Sequence, residues 1–224
     1  MRVVVRVGGS VVGSQLNATM ITRYVTLLKD LKNQGHDVVA VVGGGSLARD
    51  FIKVAAYLGL EEERRDWAAI YVSRLFAQLF MLGLGEAGCG VVPVSLDEAE
   101  ACLRKGKIVV MGGLRPGMTT DSVAALIGER VKADLLVKGS NVDGIYTKDP
   151  RKHVDAKKVD KLRFEELAGM LDEKQHKAGI NQIIDPEAVK ILAKIRLKTI
   201  VVDGYDTANL VFAVEGRQVG TVIE

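Results

Sequence analysis

The chain has 224 residues, 24 of them glycine, about 11% against an average share near 7%. With 48% hydrophobic and 26% charged residues, its composition is globular and excludes a disordered chain. One domain able to bury roughly 70% of its unfolded surface fits the length, and 31 basic against 28 acidic residues leave a net charge of only +3.

That balance does not point to nucleic acid, since basic residues gather only locally, around Lys148 to Arg163. Residues 1–12 are interrupted by Arg2 and Arg6 and lack a cleavage site, so they do not read as a signal peptide. No apolar run approaches bilayer-spanning length, and an intracellular, cytoplasmic protein is expected. Cys89 and Cys102 are too few for a disulfide framework and fit no zinc spacing; both read as small buried or half-buried side chains.

In chain order, short β-branched runs at 3–7, 37–42, 91–95, 107–111, 134–138 and 198–203 predict strands, several wholly apolar as strands covered on both faces are. Between them, helical patterns fall at 19–34, 47–58, 64–84, 96–104, 120–131 and 186–194, the last with Pro186 in its first turn behind Asp185. Residues 218–223 add a possible final strand. This alternation predicts an α/β fold, a mainly parallel sheet with helices on both sides. Residues 141–164 break the pattern and read as a turn-rich excursion with hairpins. The helix around residues 67–82 is apolar all round, which suits either a core helix or a subunit interface.

The glycines follow strands. Gly8-Gly9-Ser10, Gly43-Gly44-Gly45-Ser46, Gly112-Gly113 and Gly139-Ser140 each succeed a predicted strand. In a parallel sheet these carboxyl ends share one edge, where ligands of open α/β sheets bind. Glycine lets successive N–H groups converge on phosphate, and a following helix start adds its own. G-x-x-x-x-G-K-[ST], G-x-G-x-x-G in register, kinase signatures and G-x-S-x-G are all absent. Arg49 lies one turn past Gly45, placed to return toward a phosphate. Asp66 sits in the first turn of the long helix, where an acid suits the dipole and a carboxylate can also hold a ribose. Residues 115–121 join an arginine, a glycine, two hydroxyls and Asp121 before a helix, the makings of an anion cradle. Lys138 ends a buried strand at the same edge.

The order of these loops, ending in Asn141-Val142-Asp143-Gly144-Ile145-Tyr146 with Asp149-Pro150, resembles the amino acid kinase superfamily, and within it the archaeal-type uridylate (UMP) kinases, over the whole chain. The resemblance implies a three-layer αβα sandwich in a single domain spanning residues 1–224, a homohexamer, and transfer of the ATP γ-phosphoryl group to UMP with Mg²⁺ held mainly by nucleotide phosphates. By motif, Gly9, Ser10, Gly45 and Arg49 would line the ATP phosphates, and Ser140, Tyr146 and Asp149 would hold its adenine end. Gly44, Asp66, Leu114, Arg115, Pro116, Gly117, Met118, Thr119 and Thr120 would bind UMP. Asp121, Lys138, Arg6 and Asp185 would carry the chemistry. Arg6 stands where many members carry a first-loop lysine, and strand alternation alone leaves its side open. Two readings compete: a kinase of the same scaffold acting on acetylglutamate or isopentenyl phosphate, and a nucleotide sensor without turnover.

Overall fold

Valines at successive positions of the first strand divide between two cores. A computed structural model describes residues 1–13, 16–150, 152–175 and 183–224. In β1 (Arg2–Val7), Val3, Val5 and Val7 enter one buried cluster and Val4 enters the other. β2 (Asp37–Val42) repeats the division, with Val38, Ala40 and Val42 on the first side and Val39 and Val41 on the second. A strand buried on both faces has no polar side to show, which is why these runs lack the polar alternation of a half-exposed strand.

The first core is closed by α2 (Ala18–Asn33), α4 (Glu62–Leu84) and α9 (Ala208–Val214), through Tyr24, Leu28, Phe76, Phe80 and Leu210. The second is closed by α5 (Leu96–Arg104), α6 (Thr120–Val131), α7 (Phe164–Gln175) and α8 (Pro186–Ile195), through Cys102, Ile127, Phe164 and Leu192. Short α1 (Gly9–Val12) and longer α3 (Gly45–Tyr57) begin within the first two glycine loops. The remaining strands are β3 (Val109–Met111), β4 (Leu135–Ser140), β5 (Ile145–Tyr146), β6 (Lys158–Val159), β7 (Lys161–Leu162), β8 (Thr199–Asp203) and β9 (Thr221–Ile223). Among the described residues seven of them form one sheet, in the order β3-β2-β1-β4-β8-β9-β7, parallel except where β9 meets β8. β5 and β6 make the expected hairpin of the excursion.

Local chemistry sets the helix starts. Asn17 accepts the Met20 N–H at 3.1 Å to begin α2, and Thr119 accepts the Ser122 N–H at 3.1 Å to begin α6. Asp185 accepts the Glu187 and Ala188 N–H groups, each at 3.0 Å, in front of Pro186.

Three expectations are corrected. Residues 91–95 are not a strand: Pro93 interrupts the run, and Val91 and Val94 are exposed. The long α4 is, by length and composition, apolar enough to cross a bilayer, although Ile70, Phe76, Phe80 and Leu84 on it are buried in protein. Cys89 and Cys102 are joined in a disulfide, their Cα atoms 5.7 Å apart and 13 positions apart in sequence. Closing so short a loop restricts the unfolded chain, so Cys102→Ala or reduction is expected to remove about 3 kcal/mol of stability. Urea titration with and without reductant measures this; coincident midpoints contradict it.

Candidate active site

Strand order reverses at β1, which has β2 on one side and β4 on the other. A ligand crevice is expected at the carboxyl ends of such a pair, and the glycine loops meet there. The Gly8 N–H donates to Gly139 O at 2.9 Å, and the Gly43 N–H to Val7 O at 3.2 Å. Gly9 and Gly45 are in backbone contact, leaving no room for a side chain on either. Gly44 caps α3 without a side-chain hydrogen bond, so the first N–H groups of that 13-residue helix stay open to an anion.

A cavity of about 440 Å³ lies over this junction. Its floor is Gly8, Gly9 and Ser10 with Gly43, Gly44 and Gly45, and Arg49, Lys138 and Ser140 stand around it. A second cavity of about 460 Å³ adjoins it, bordered by Asp66, Ile70 and residues 117–120. Gly44, Arg49 and Thr120 line both. Arg49 is exposed there.

Between the loops stands a buried ionic triad. Arg6 and Lys138 are directly paired across β1 and β4. Each is two residues beyond a side chain of the second core, Val4 and Leu136, so both project toward α6. Asp121, in the first turn of α6, receives them. Arg6 Nε is 2.6 Å from its Oδ1, a charge contact without hydrogen-bond alignment, and Lys138 Nζ hydrogen-bonds its Oδ2. Arg6 also donates to Val7 O at 3.0 Å and to Thr120 Oγ1 at 2.8 Å. Burial by itself would raise the Asp121 carboxyl; the Arg6 guanidinium and then Lys138 overcome it and hold the group below the usual carboxylate range. Burial dominates at Lys138 and pushes its ammonium down to about 8, opposed by Asp121 and assisted by Arg6. The triad thus carries net positive charge beneath the cavity.

The loop before α6 is braced from two sides. Asp66 Oδ2 accepts the Gly117 N–H at 2.7 Å. Asp185 accepts hydrogen bonds from the Thr119 and Ser122 hydroxyls, the latter at 3.1 Å to Oδ1. Asp185 therefore braces the loop and caps α8, and it is not among the residues lining either cavity.

Most sequence-predicted residues converge here. Gly9, Ser10, Gly45, Arg49 and Ser140 line the first cavity with Arg6, Asp121 and Lys138. Gly44, Asp66, Arg115, Gly117, Met118, Thr119 and Thr120 line the second. Besides Asp185, four are placed elsewhere. Tyr146 lies in the hairpin and donates its hydroxyl to Asp143 Oδ1 at 2.8 Å. Asp149 is buried outside the lining, Leu114 packs on the second core, and Pro116 faces a groove between α6 and α8. Asp66 is in the second turn of α4, one turn later than expected, because the helix begins at Glu62. Sequence reasoning missed Asn141, Val142 and Ile183 in the first cavity and Ala69, Ile70 and Ser73 in the second. The last three recur at helical spacing with Asp66, a signal that was present but reads as ordinary amphipathicity.

Known proteins are similar to this chain in sequence and in fold. The sequence model of the amino acid kinase family matches residues 1–203. A uridylate kinase of Methanocaldococcus jannaschii is 43% identical over 100% of both chains, and one of Methanobrevibacter smithii is 37% identical over 100% of this chain and 99% of its own. The crystal structure of uridylate kinase from Archaeoglobus fulgidus superposes with a TM-score of 0.91 at 38% identity, covering 100% of each chain. The chain belongs to the amino acid kinase family, among its archaeal uridylate kinase members.

Proposed function

We propose that the chain catalyses transfer of the γ-phosphoryl group of ATP to UMP, giving ADP and UDP. The observation that carries this reading is the pair of adjoining cavities with Gly44, Arg49 and Thr120 in common, beside relatives named uridylate kinase. Two nucleotides seated one in each bring their phosphates together at that shared border. A UMP phosphate oxygen attacks the γ-phosphorus, and the bond to the β–γ bridging oxygen breaks as ADP departs. Nothing in such a transfer needs a covalent enzyme intermediate; the protein's task is alignment and stabilisation of spreading charge.

Gly9, Ser10, Gly45 and the open start of α3 hold the ATP phosphates, and Ser140 lies toward its nucleoside end. Asp66 Oδ2 serves the Gly117 N–H, which leaves Oδ1 to accept a ribose hydroxyl of UMP. Arg115, exposed and without a partner among the described residues, and Thr119 and Thr120 serve its phosphate side. Lys138 supplies positive charge to the transferred group, and Asp121 and Arg6 hold it in place. Tyr146 and Asp149 keep the hairpin in shape at the adenine end. Among the described residues there is no cluster of three or more metal-binding side chains, and both Asp121 oxygens face cations. The donor set therefore fits magnesium brought in on the ATP phosphates, where the ion neutralises phosphate charge.

Mixing ATP and UMP is expected to form equimolar ADP and UDP with intersecting initial-velocity lines. Equal turnover of CMP, acetylglutamate or isopentenyl phosphate contradicts the assignment. Lys138 adds a pH signature. With its ammonium at about 8 against an ordinary 10.5, kcat/KM, which reports the free enzyme, is expected to fall about tenfold per unit above pH 8. Between those values the unfolded chain binds more protons, so this group's contribution to stability rises with pH as activity falls. Lys138→Met removes both dependences; a wild-type kcat/KM flat to pH 10 contradicts the assignment.

The enzyme works in the cytoplasm as a homohexamer in this reading. Tyr71, Leu75, Leu79 and Leu82 expose an apolar stripe on α4, beside Phe51, Val54, Tyr57 and Leu58 from the α3 side, the kind of surface that a second copy would cover.

A further inference from the structure

One guanidinium holds both carbonyls at the entrance of the loop after β3. Arg74 Nε donates to Gly113 O at 2.9 Å, and its Nη2 donates to Leu114 O at 3.0 Å. The Trp67 ring, one side of the same helix, lies 5.6 Å from the guanidinium carbon. The adjacent Ser73 completes the grip: its hydroxyl accepts the Gly113 N–H at 2.8 Å and donates to Ile70 O at 2.7 Å.

Peptide geometry gives these contacts a consequence. In a trans peptide the C=O and the following N–H point to opposite sides, and the chain has no cis bond. Holding the Gly113 and Leu114 carbonyls therefore turns the N–H groups of Leu114 and Arg115 away from Arg74. Neither N–H has a partner among the described residues. Gly113 and Arg115 both line the cavity that contains Asp66. Two successive backbone donors without a protein partner thus stand at the border of that cavity.

We propose that Arg74 is a positioning residue for the acceptor nucleotide, setting the loop so that the Leu114 and Arg115 N–H groups meet acceptor oxygens of UMP. This rests on reading that cavity as the UMP site. Arginine suits the task because its rigid fork spans two carbonyls at once, whereas a lysine ammonium on a flexible stem does not hold both in fixed register.

The test is steady-state kinetics on Arg74→Ala and Arg74→Lys with thermal melts of each. In Arg74→Ala the KM for UMP is expected to rise about tenfold or more, with the KM for ATP within about twofold of wild type and kcat little changed, the pattern of lost uniform acceptor binding. Arg74→Lys, which keeps charge and bulk, recovers part of the loss and serves as the probe where the alanine variant does not fold. Calorimetric UMP affinity, measured without ATP, falls by the same factor. An unchanged KM for UMP in a folded variant, or equal rises in both KM values, overturns the proposal. Failure of wild type to phosphorylate UMP instead removes the underlying reading, and shows before any variant is made.

Discussion

Asp121→Asn is expected to lower kcat by about 10²–10³-fold, the scale seen when one preorganised charge-stabilising group is removed. The variant keeps the shape of the side chain and loses the charge that faces Arg6 Nε at 2.6 Å and binds Lys138. Two cations then share a buried space without their anion. Removing one partner from a buried charge pair costs about 3–5 kcal/mol, and here the charge left behind is doubled. Lys138 can relieve the repulsion by releasing its proton; Arg6 cannot. The variant should therefore be both slow and less stable near pH 7, and gain stability as Lys138 deprotonates. In the wild type Asp121 is held ionised below the ordinary 3.8. Its share of stability is thus complete above that value and lost as pH falls through the lower folded one, a dependence absent from the variant. Urea titrations from pH 3 to 9 together with kcat check the result. Near-wild-type activity in Asp121→Asn would show that the triad only fills space.

Gly45→Ala is the second large effect. Gly45 has φ of +62°, where a side chain is costly, and a Cβ there would collide with the Gly9 carbonyl oxygen. The backbone term alone is about 1–3 kcal/mol. Relief requires the first two glycine loops to part, which also separates the N–H groups assigned to the ATP phosphates. A rise of about tenfold or more in the KM for ATP is expected, with reduced thermal stability. Gly35→Ala is the control: its φ is +86° but an added Cβ meets nothing within 4 Å. That variant should lose about 1 kcal/mol and keep its kinetics, which separates backbone strain from loop collision.

Much of this was legible in the residues because two regularities are local. Valine alternation in β1 and β2 and the strand-end glycines both depend on short-range geometry, so strand positions and the shared ligand edge follow from them. The partnership of Arg6 with Lys138 was half visible. Each stands two residues after an apolar side chain, but which core that side chain joins depends on the neighbouring strand. The 91–95 run misleads because its valines satisfy a strand pattern while Pro93 interrupts it and Val91 and Val94 lie exposed. The Cys89–Cys102 bond itself depends on the approach of two segments that no spacing rule encodes. Helices α7 and α9 were overlooked because α7 is flanked by polar hairpin residues and α9 has only seven residues. Ser73 and Arg74 escaped notice for another reason. Their role lies in backbone atoms 40 positions away, and a serine and an arginine on a helix have no sequence mark of that duty.

In this reading the two adjoining cavities hold donor and acceptor with their phosphates meeting above the Asp121 triad. A crystal structure with UMP and a non-hydrolysable ATP analogue tests it most directly. Two nucleotides are expected: UMP beside Asp66 and residues 117–120, and the analogue over Gly9, Gly45 and Ser140, with the facing phosphates between Arg49 and Thr120. A single nucleotide spanning both cavities, or UMP bound away from Asp66, would contradict it.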